Sequence, residues 1–336
     1  MKQKVVVIGG GIIGCLTAAE LAKKGAEVYI VDKTFIGSEA SGAAGGILFP
    51  LMPWNYDPCI YKLCSQSSDY YINLEKDLLH ETNIDIELIK SGIQVLAPYN
   101  EDQILDWGKK NNIKIDKKNF NNDKSLLIKR VFQVNPPKLM RALKIYLKKL
   151  NITILENSEV INLEKNKNKN KIISCEIKNV GKIFADKFVI AAGAWSSRLI
   201  ESLTKMIYPV RGHIIQYPKS DIKLDHIIYK DGIYAMQRKD FSIIVGSTLE
   251  NVGFSEVNLE DSINFLNLRA TDMIEELRDL KIEKHWYGFR PGSDNNKPTV
   301  KIDESFDNLI INSGHHRYGI TMAPNTIPLV IDYVFG

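Results

Sequence analysis

Long apolar runs are missing from this sequence. No uninterrupted apolar stretch reaches the roughly 18 residues that a bilayer-crossing helix needs. Cysteine is scarce: Cys15, Cys59, Cys64 and Cys175 are the four. None sits in a CxxC pair or at a zinc spacing, which excludes a disulfide-stapled or zinc-built fold and suits a reducing cytoplasmic interior. An excess of one charge is also missing. The 44 basic and 40 acidic residues leave a formal charge of +4, too little to argue for nucleic acid as a partner. His315 and His316 are adjacent, but no carboxylate or cysteine stands at ligand spacing from them, so no metal is expected. Lys2 and Lys4 precede an apolar run over 5–13 that could pass for a signal peptide. Glycines interrupt it and no small-residue cleavage site suits it, so a soluble cytoplasmic protein is expected.

What is present is an ordinary globular composition, 44% hydrophobic over 336 residues, enough for two domains. Residues 5–8 form a β-branched run typical of a buried parallel strand. A glycine turn follows, then a helix to about residue 24 that Gly25 ends, then a strand over 27–31. Residues 37–49 crowd Gly, Ala and Ser together, which lets backbone approach something closely. The spacing of 60, 63, 64, 67, 71, 74 and 78 predicts one helix over 60–78, if Ser67 is allowed on the stripe. The polar run 108–124 reads as a surface excursion. Asn135 followed by Pro136 is a helix start, with Leu139, Leu143, Tyr146 and Leu150 as the buried stripe. The low-complexity run 165–171 reads as a hairpin connection, 187–192 as a buried strand, 208–248 as mostly strands and 258–280 as helix.

Gly9, Gly11 and Gly14 form G-x-G-x-x-G between the first strand and the first helix. In that setting the first glycine makes the turn, the second lets a pyrophosphate approach, and the third lets helix and strand pack. The helix N-terminus supplies N–H groups and partial positive charge for phosphates. Asp32 closes the second strand, where an acid can accept ribose hydroxyls. The motif alone does not separate FAD from NAD. The small-residue segment after it favours FAD, whose long, stretched molecule can lie beneath such a stretch, whereas a nicotinamide fold usually continues with another β-α-β unit.

Six stretches, in order, resemble the D-amino-acid oxidase-like flavoproteins, and within them the glycine oxidases of thiamine biosynthesis. They are VVVIGGGIIG (5–14), ASGAAGGIL (40–48), VIAAGAWSS (189–197), IYAMQRKDFSIIVGST (233–248), HWYGFRPGSDNNKPTV (285–300) and SGHHRYGITMAP (313–324). The resemblance implies an α/β fold: a Rossmann-like FAD-binding domain with a parallel sheet, plus an inserted substrate domain with a large antiparallel sheet. Residues 1–86, 135–207 and 288–336 are expected in the first, 87–134 and 208–287 in the second.

Carried over residue by residue, the resemblance puts Ile12, Ile13, Asp32 and Lys33 on the adenosine side. Glu39, Ala40, Ser41, Ala44, Gly45 and Gly46 would line the pyrophosphate and flavin, with Gly193 also at the cofactor and Val160 meeting the adenine through its backbone. Gly314, His315, His316, Arg317, Tyr318, Gly319, Ile320 and Thr321 would wrap the flavin ring. Arg290 would hold the substrate carboxylate, with Tyr234 beside it and Arg317 close by. The residues themselves support Arg290: Gly288-Phe289-Arg290-Pro291-Gly292 reads as a rigid turn, and a guanidinium fork matches a carboxylate. Pro328 falls inside the expected last helix and would remove an N–H or shift the helix start.

The implied activity is oxidation of a glycine-, sarcosine- or D-amino-acid-type substrate by non-covalent FAD, giving an imine and then an oxo acid, with oxygen reoxidising the flavin to yield peroxide. No side-chain base is certain, because the cofactor does the hard step. The alternative is a dehydrogenase that passes electrons to a quinone or protein acceptor. Oligomeric state is left open, a homo-oligomer included.

Overall fold

A computed structural model describes residues 2–121, 123–166, 170–255 and 259–336. Two sheets organise the chain. The first strand, β1 (Lys4–Ile8), leads through the glycine turn into α1 (Ile12–Lys23) and then β2 (Glu27–Val31), which lies parallel to β1. On the other side of β1 lies Lys187–Ile190, then Leu309–Ser313, all parallel, and Thr153–Leu155 extends the sheet beyond β2. Only the edge strand Thr299–Ile302 runs antiparallel. Alternation along β1 feeds two cores. Val5 and Val7 pack under α1, with Leu139, Leu143 and the C-terminal helix, while Val6 and Ile8 face the layer holding the three-stranded sheet of residues 160–184.

The second sheet has eight strands, in the order Lys284–Ser293, Ile207–Tyr217, Ile243–Gly246, Ile233–Gln237, Ile227–Lys230, Ile93–Leu96, Asp123–Ile128 and Ile115–Phe120. All neighbours are antiparallel except Ile227–Lys230 with Ile93–Leu96. The mixed α/β fold therefore pairs a parallel-strand sheet with a large, chiefly antiparallel one. The boundary expected at residue 288 falls inside the strand Lys284–Ser293.

Several local expectations hold. Asn135 caps the helix Pro136–Lys149 by accepting from the Lys138 amide at 3.3 Å, and Leu139, Leu143 and Tyr146 are buried. The run 165–171 joins Val160–Lys165 to Ile172–Ile177 as a hairpin, with 167–169 outside the described residues. The helix expected over 258–280 is a helix at Leu259–Met273 and a 3-10 turn at Glu275–Asp279, with 258 outside the described residues.

Others are corrected. The helix over 60–78 is two helices, Pro58–Cys64 and Ser67–Thr82. The break comes where Ser65 gives both its amide and its hydroxyl to the Lys62 carbonyl, tightening the last turn. The run 108–124 is no excursion. It holds the end of the helix Glu101–Lys110 and most of a hairpin, Ile115–Phe120 with Asp123–Ile128, although residue 122 lies outside the described residues. Its lysines read as loop because Ile115–Phe120 is the sheet edge, where charge guards an unpaired strand. Of the two outcomes expected of Pro328, the first holds: it removes an N–H without shifting the last helix, which runs Gly319–Phe335 through both Pro324 and Pro328. Pro324 has no N–H to offer the Ile320 carbonyl, and that carbonyl instead accepts the Tyr71 hydroxyl at 2.9 Å.

Candidate active site

Between the two sheets, at the C-terminal ends of β1, Lys187–Ile190 and Leu309–Ser313, a cavity of about 410 Å³ opens. Every residue assigned to cofactor or substrate from the sequence lines it except Gly14 and Gly314. Gly14 serves packing instead: a Cβ there would lie 1.8 Å from the Gly9 carbonyl oxygen. Gly9 has φ +114, and its Cβ would fall 2.3 Å from the Ala191 oxygen, so the turn between β1 and α1 needs glycine twice over.

Gly11 is the N-cap of α1, with no side-chain cap, and α1 points its first turn into the cavity. The hydroxyl of Ser41 accepts from the Ile12 amide at 2.8 Å. Asp32 accepts from the Gly10 amide at 2.6 Å and from the Thr34 amide at 2.8 Å, which locks the turn to the end of β2. Beyond it, the Lys33 ammonium lies 3.1 Å from Glu39 and 3.3 Å from the centre of the Trp195 ring. The C-terminal helix supplies a second N-terminus without a side-chain cap, and Gly319, Ile320 and Thr321 of its first turn face the same cavity.

At the far end, strand Ile233–Gln237 brings in Tyr234, which is buried, and burial raises its pKa. Its hydroxyl fits between two glycines: a Cβ on Gly45 would lie 2.2 Å from it, and one on Gly246 2.7 Å. Arg290 is not in a turn. It lies within the strand Lys284–Ser293, opposite Val210, with Gly288 opposite Gly212. Gly288 of the motif and Gly212 of the neighbouring strand serve close approach. A Cβ on Gly288 would lie 2.9 Å from that of Ala43, and one on Gly212 only 2.0 Å from Nη1 of Arg290. The guanidinium donates to the Thr248 carbonyl at 3.0 Å and to the Ser247 hydroxyl at 2.8 Å. Burial, with Arg317 adding its repulsion, pushes the Arg290 pKa down to about 10, which leaves it cationic at neutral pH. Gly212→Ala should therefore displace the guanidinium while leaving the dinucleotide end untouched. Flavin content measured by absorbance should stay near normal, and carboxylated ligands should bind weakly.

Three contributors were missed in the sequence. Asn312 is fully buried on the cavity wall, and neither side-chain amide atom has a protein partner. The signal was an amide directly after the apolar run Leu309, Ile310 and Ile311 in the buried strand Leu309–Ser313. Arg238 ties the loop under the cavity to the antiparallel sheet, donating to the Gly45 carbonyl at 2.7 Å and the Val134 carbonyl at 2.8 Å. Trp195, from the 3-10 turn Gly193–Trp195, stacks on Phe254 with ring centres 5.0 Å apart.

A glycine-walled cleft, two helix N-termini whose N-cap residues make no side-chain bond and an unsatisfied buried amide together fit a long anionic dinucleotide. Comparison with known proteins agrees. The family model described as FAD dependent oxidoreductase, DAO, matches residues 4–329. This chain belongs to the DAO family of FAD-dependent oxidoreductases. Within that family it is 33% identical to a glycine oxidase of Pseudomonas aeruginosa over all of its own length and 96% of that protein's. A bifunctional ThiO/ThiG protein of Trichormus variabilis is 28% identical, matched over 99% of this chain and 53% of that one. The crystal structure of glycine oxidase from Bacillus cereus superposes with a TM-score of 0.89 at 26% identity, covering 99% of this oxidoreductase and 95% of that chain. The oxidoreductase is thus an FAD enzyme of glycine oxidase type. Among its described residues, no helix is long and apolar enough to cross a membrane.

Proposed function

We propose that the enzyme oxidises the C–N bond of a small amino acid or secondary amine of the glycine, sarcosine or D-amino-acid type. The carbon–nitrogen bond becomes an imine, which water converts to an oxo acid and ammonia or an amine. FAD supplies a two-electron, hydride-accepting centre and, with oxygen, its own reoxidation to give hydrogen peroxide.

The observation that carries this reading is Arg290, a half-buried cation on the cavity wall whose fork is held by Thr248 and Ser247. It binds the substrate carboxylate and sets the direction from which the reacting carbon approaches. Tyr234 and Arg317 flank that carboxylate. Ile12, Ile13, Asp32 and Lys33 hold the adenosine side. Glu39 to Gly46, with Gly193 and Val160, hold the remainder of the cofactor. The first-turn amides at Gly319, Ile320 and Thr321 face the flavin ring, where a helix N-terminus stabilises negative charge. The four free cysteines suit a cytoplasmic location.

Glycine, sarcosine and several D-amino acids, supplied to the holoenzyme under air with a peroxide readout, test the reading. Peroxide from at least one of them is expected. Bleaching of the flavin without peroxide, with turnover restored by a quinone, would instead mark a dehydrogenase.

The flavin is expected to be non-covalent. No cysteine lines the cavity among the described residues, no cysteine follows Cys175, and no histidine precedes His80. Acid precipitation should leave the yellow colour in the supernatant, and colour in the pellet would contradict this.

A further inference from the structure

Resting on the proposed amino-acid substrate, the inference concerns how its nitrogen is held. Arg290 and Arg317 both offer only donors, so they suit the carboxylate and repel a cationic ammonium. The carboxylates that line the cavity among the described residues are Asp32, Glu39 and Glu159. Asp32 and Glu39 are committed to the fingerprint end through Gly10 and Lys33. Glu159 stands beside Val160, the residue assigned to the adenine. No acid therefore serves the nitrogen at the arginine end.

His316 stands there instead. Its amide donates to the Pro291 carbonyl at 2.8 Å, which pins the residue beside Arg290. Its backbone has φ +48, a left-handed conformation that a residue with a side chain adopts uncommonly and that marks functional sites. The side chain lines the cavity, and its Nδ1 is buried without a hydrogen-bond partner in the protein. Burial and the two neighbouring guanidiniums hold the ring neutral. With the proton on Nε2, Nδ1 carries a lone pair that no protein group takes up, and a turn of the ring about Cβ–Cγ opens it to the cavity.

We infer that His316 Nδ1 accepts a hydrogen bond from the amine N–H of the substrate and so positions the nitrogen while Arg290 holds the carboxylate. A neutral amine that donates one N–H keeps its own lone pair free for the carbon–nitrogen double bond. The arrangement selects primary and secondary amines. A neutral tertiary amine such as N,N-dimethylglycine has no N–H to give.

The test uses FAD-loaded enzyme and two ligand classes. Anaerobic mixing with glycine or sarcosine gives a dissociation constant from the saturation of flavin bleaching. Titration with acetate, which has the carboxylate and no amine, gives another from the flavin spectrum. His316→Phe keeps a ring and removes the acceptor. It should weaken the amino acid roughly tenfold or more and leave acetate within about twofold. His316→Asn, which tolerates the left-handed backbone and places an oxygen near the Nδ1 position, should recover most of the loss. If His316→Phe does not load FAD, His316→Gly carries the same comparison.

Equal weakening of acetate and amino acid would show a packing role and overturn the inference, as would unchanged amino-acid affinity. Failure of the underlying reading looks different: the wild-type enzyme itself would then be bleached by none of the carboxylated amines.

Discussion

Arg290→Ala should lower kcat/KM for glycine, sarcosine or a D-amino acid by about 30-fold to several thousand-fold, while flavin content stays near normal. A desolvated arginine–carboxylate contact broken on one side costs about 2–5 kcal/mol. This guanidinium is half-buried, burial lowers its pKa, and its position is over-determined by Thr248, Ser247 and the space that Gly212 leaves. Arg290→Lys should fare little better, because a point charge cannot span Thr248 and Ser247 while also meeting both carboxylate oxygens. Amines without a carboxylate are the control, and they should lose far less. If steady-state kinetics showed equal losses for carboxylated and uncarboxylated amines, Arg290 would be a structural or flavin-contacting residue and the anchor role would be wrong.

Gly11→Val should abolish FAD loading in protein that still folds. The backbone there has φ −75 and ψ −178, extended geometry open to any residue, so strain is not the reason. Space is. Gly11 lies on the cavity wall at the start of α1, and the nearest described atom to an added Cβ is the Ser41 hydroxyl at 3.0 Å. A valine's branches would fill the path by which a pyrophosphate reaches the first-turn amides. Circular dichroism checks the fold and visible absorbance the occupancy. A folded Gly11→Val protein with normal flavin would remove the fingerprint from the account.

These two positions also show what was legible in the sequence. The place of Gly11 on the cavity wall at the start of α1 was readable because a strand–turn–helix crossing demands a fixed local spacing, and a short motif carries all of it. The place of Arg290 on the cavity wall was readable, but its conformation was not. Gly-Phe-Arg-Pro-Gly has turn chemistry, yet its glycines answer to neighbours distant in sequence, Ala43 and Tyr208, and pairing with Ile207–Tyr217 makes it a strand. The hairpin at 115–128 was misread for a related reason. An edge strand has only one partner, and its lysine-rich sequence carries the composition of a loop. Arg238 could not be found, because its partners, the Val134 and Gly45 carbonyls and the Gln133 side-chain oxygen, lie 104, 193 and 105 residues away, and no local pattern encodes such a pairing.

The cavity's walls come from both sheets: Ile8 and Asn312 from the parallel one, Ile214, Tyr234 and Arg290 from the antiparallel one. A ligand that needs both walls binds only when both cores are formed, so its binding free energy becomes a coupling between their melting transitions. At a free concentration a thousand times its dissociation constant, such a ligand adds about 4 kcal/mol against unfolding. Flavin supply would then set how much of the polypeptide survives heat or proteolysis, and a cell short of riboflavin would lose the protein itself along with its activity.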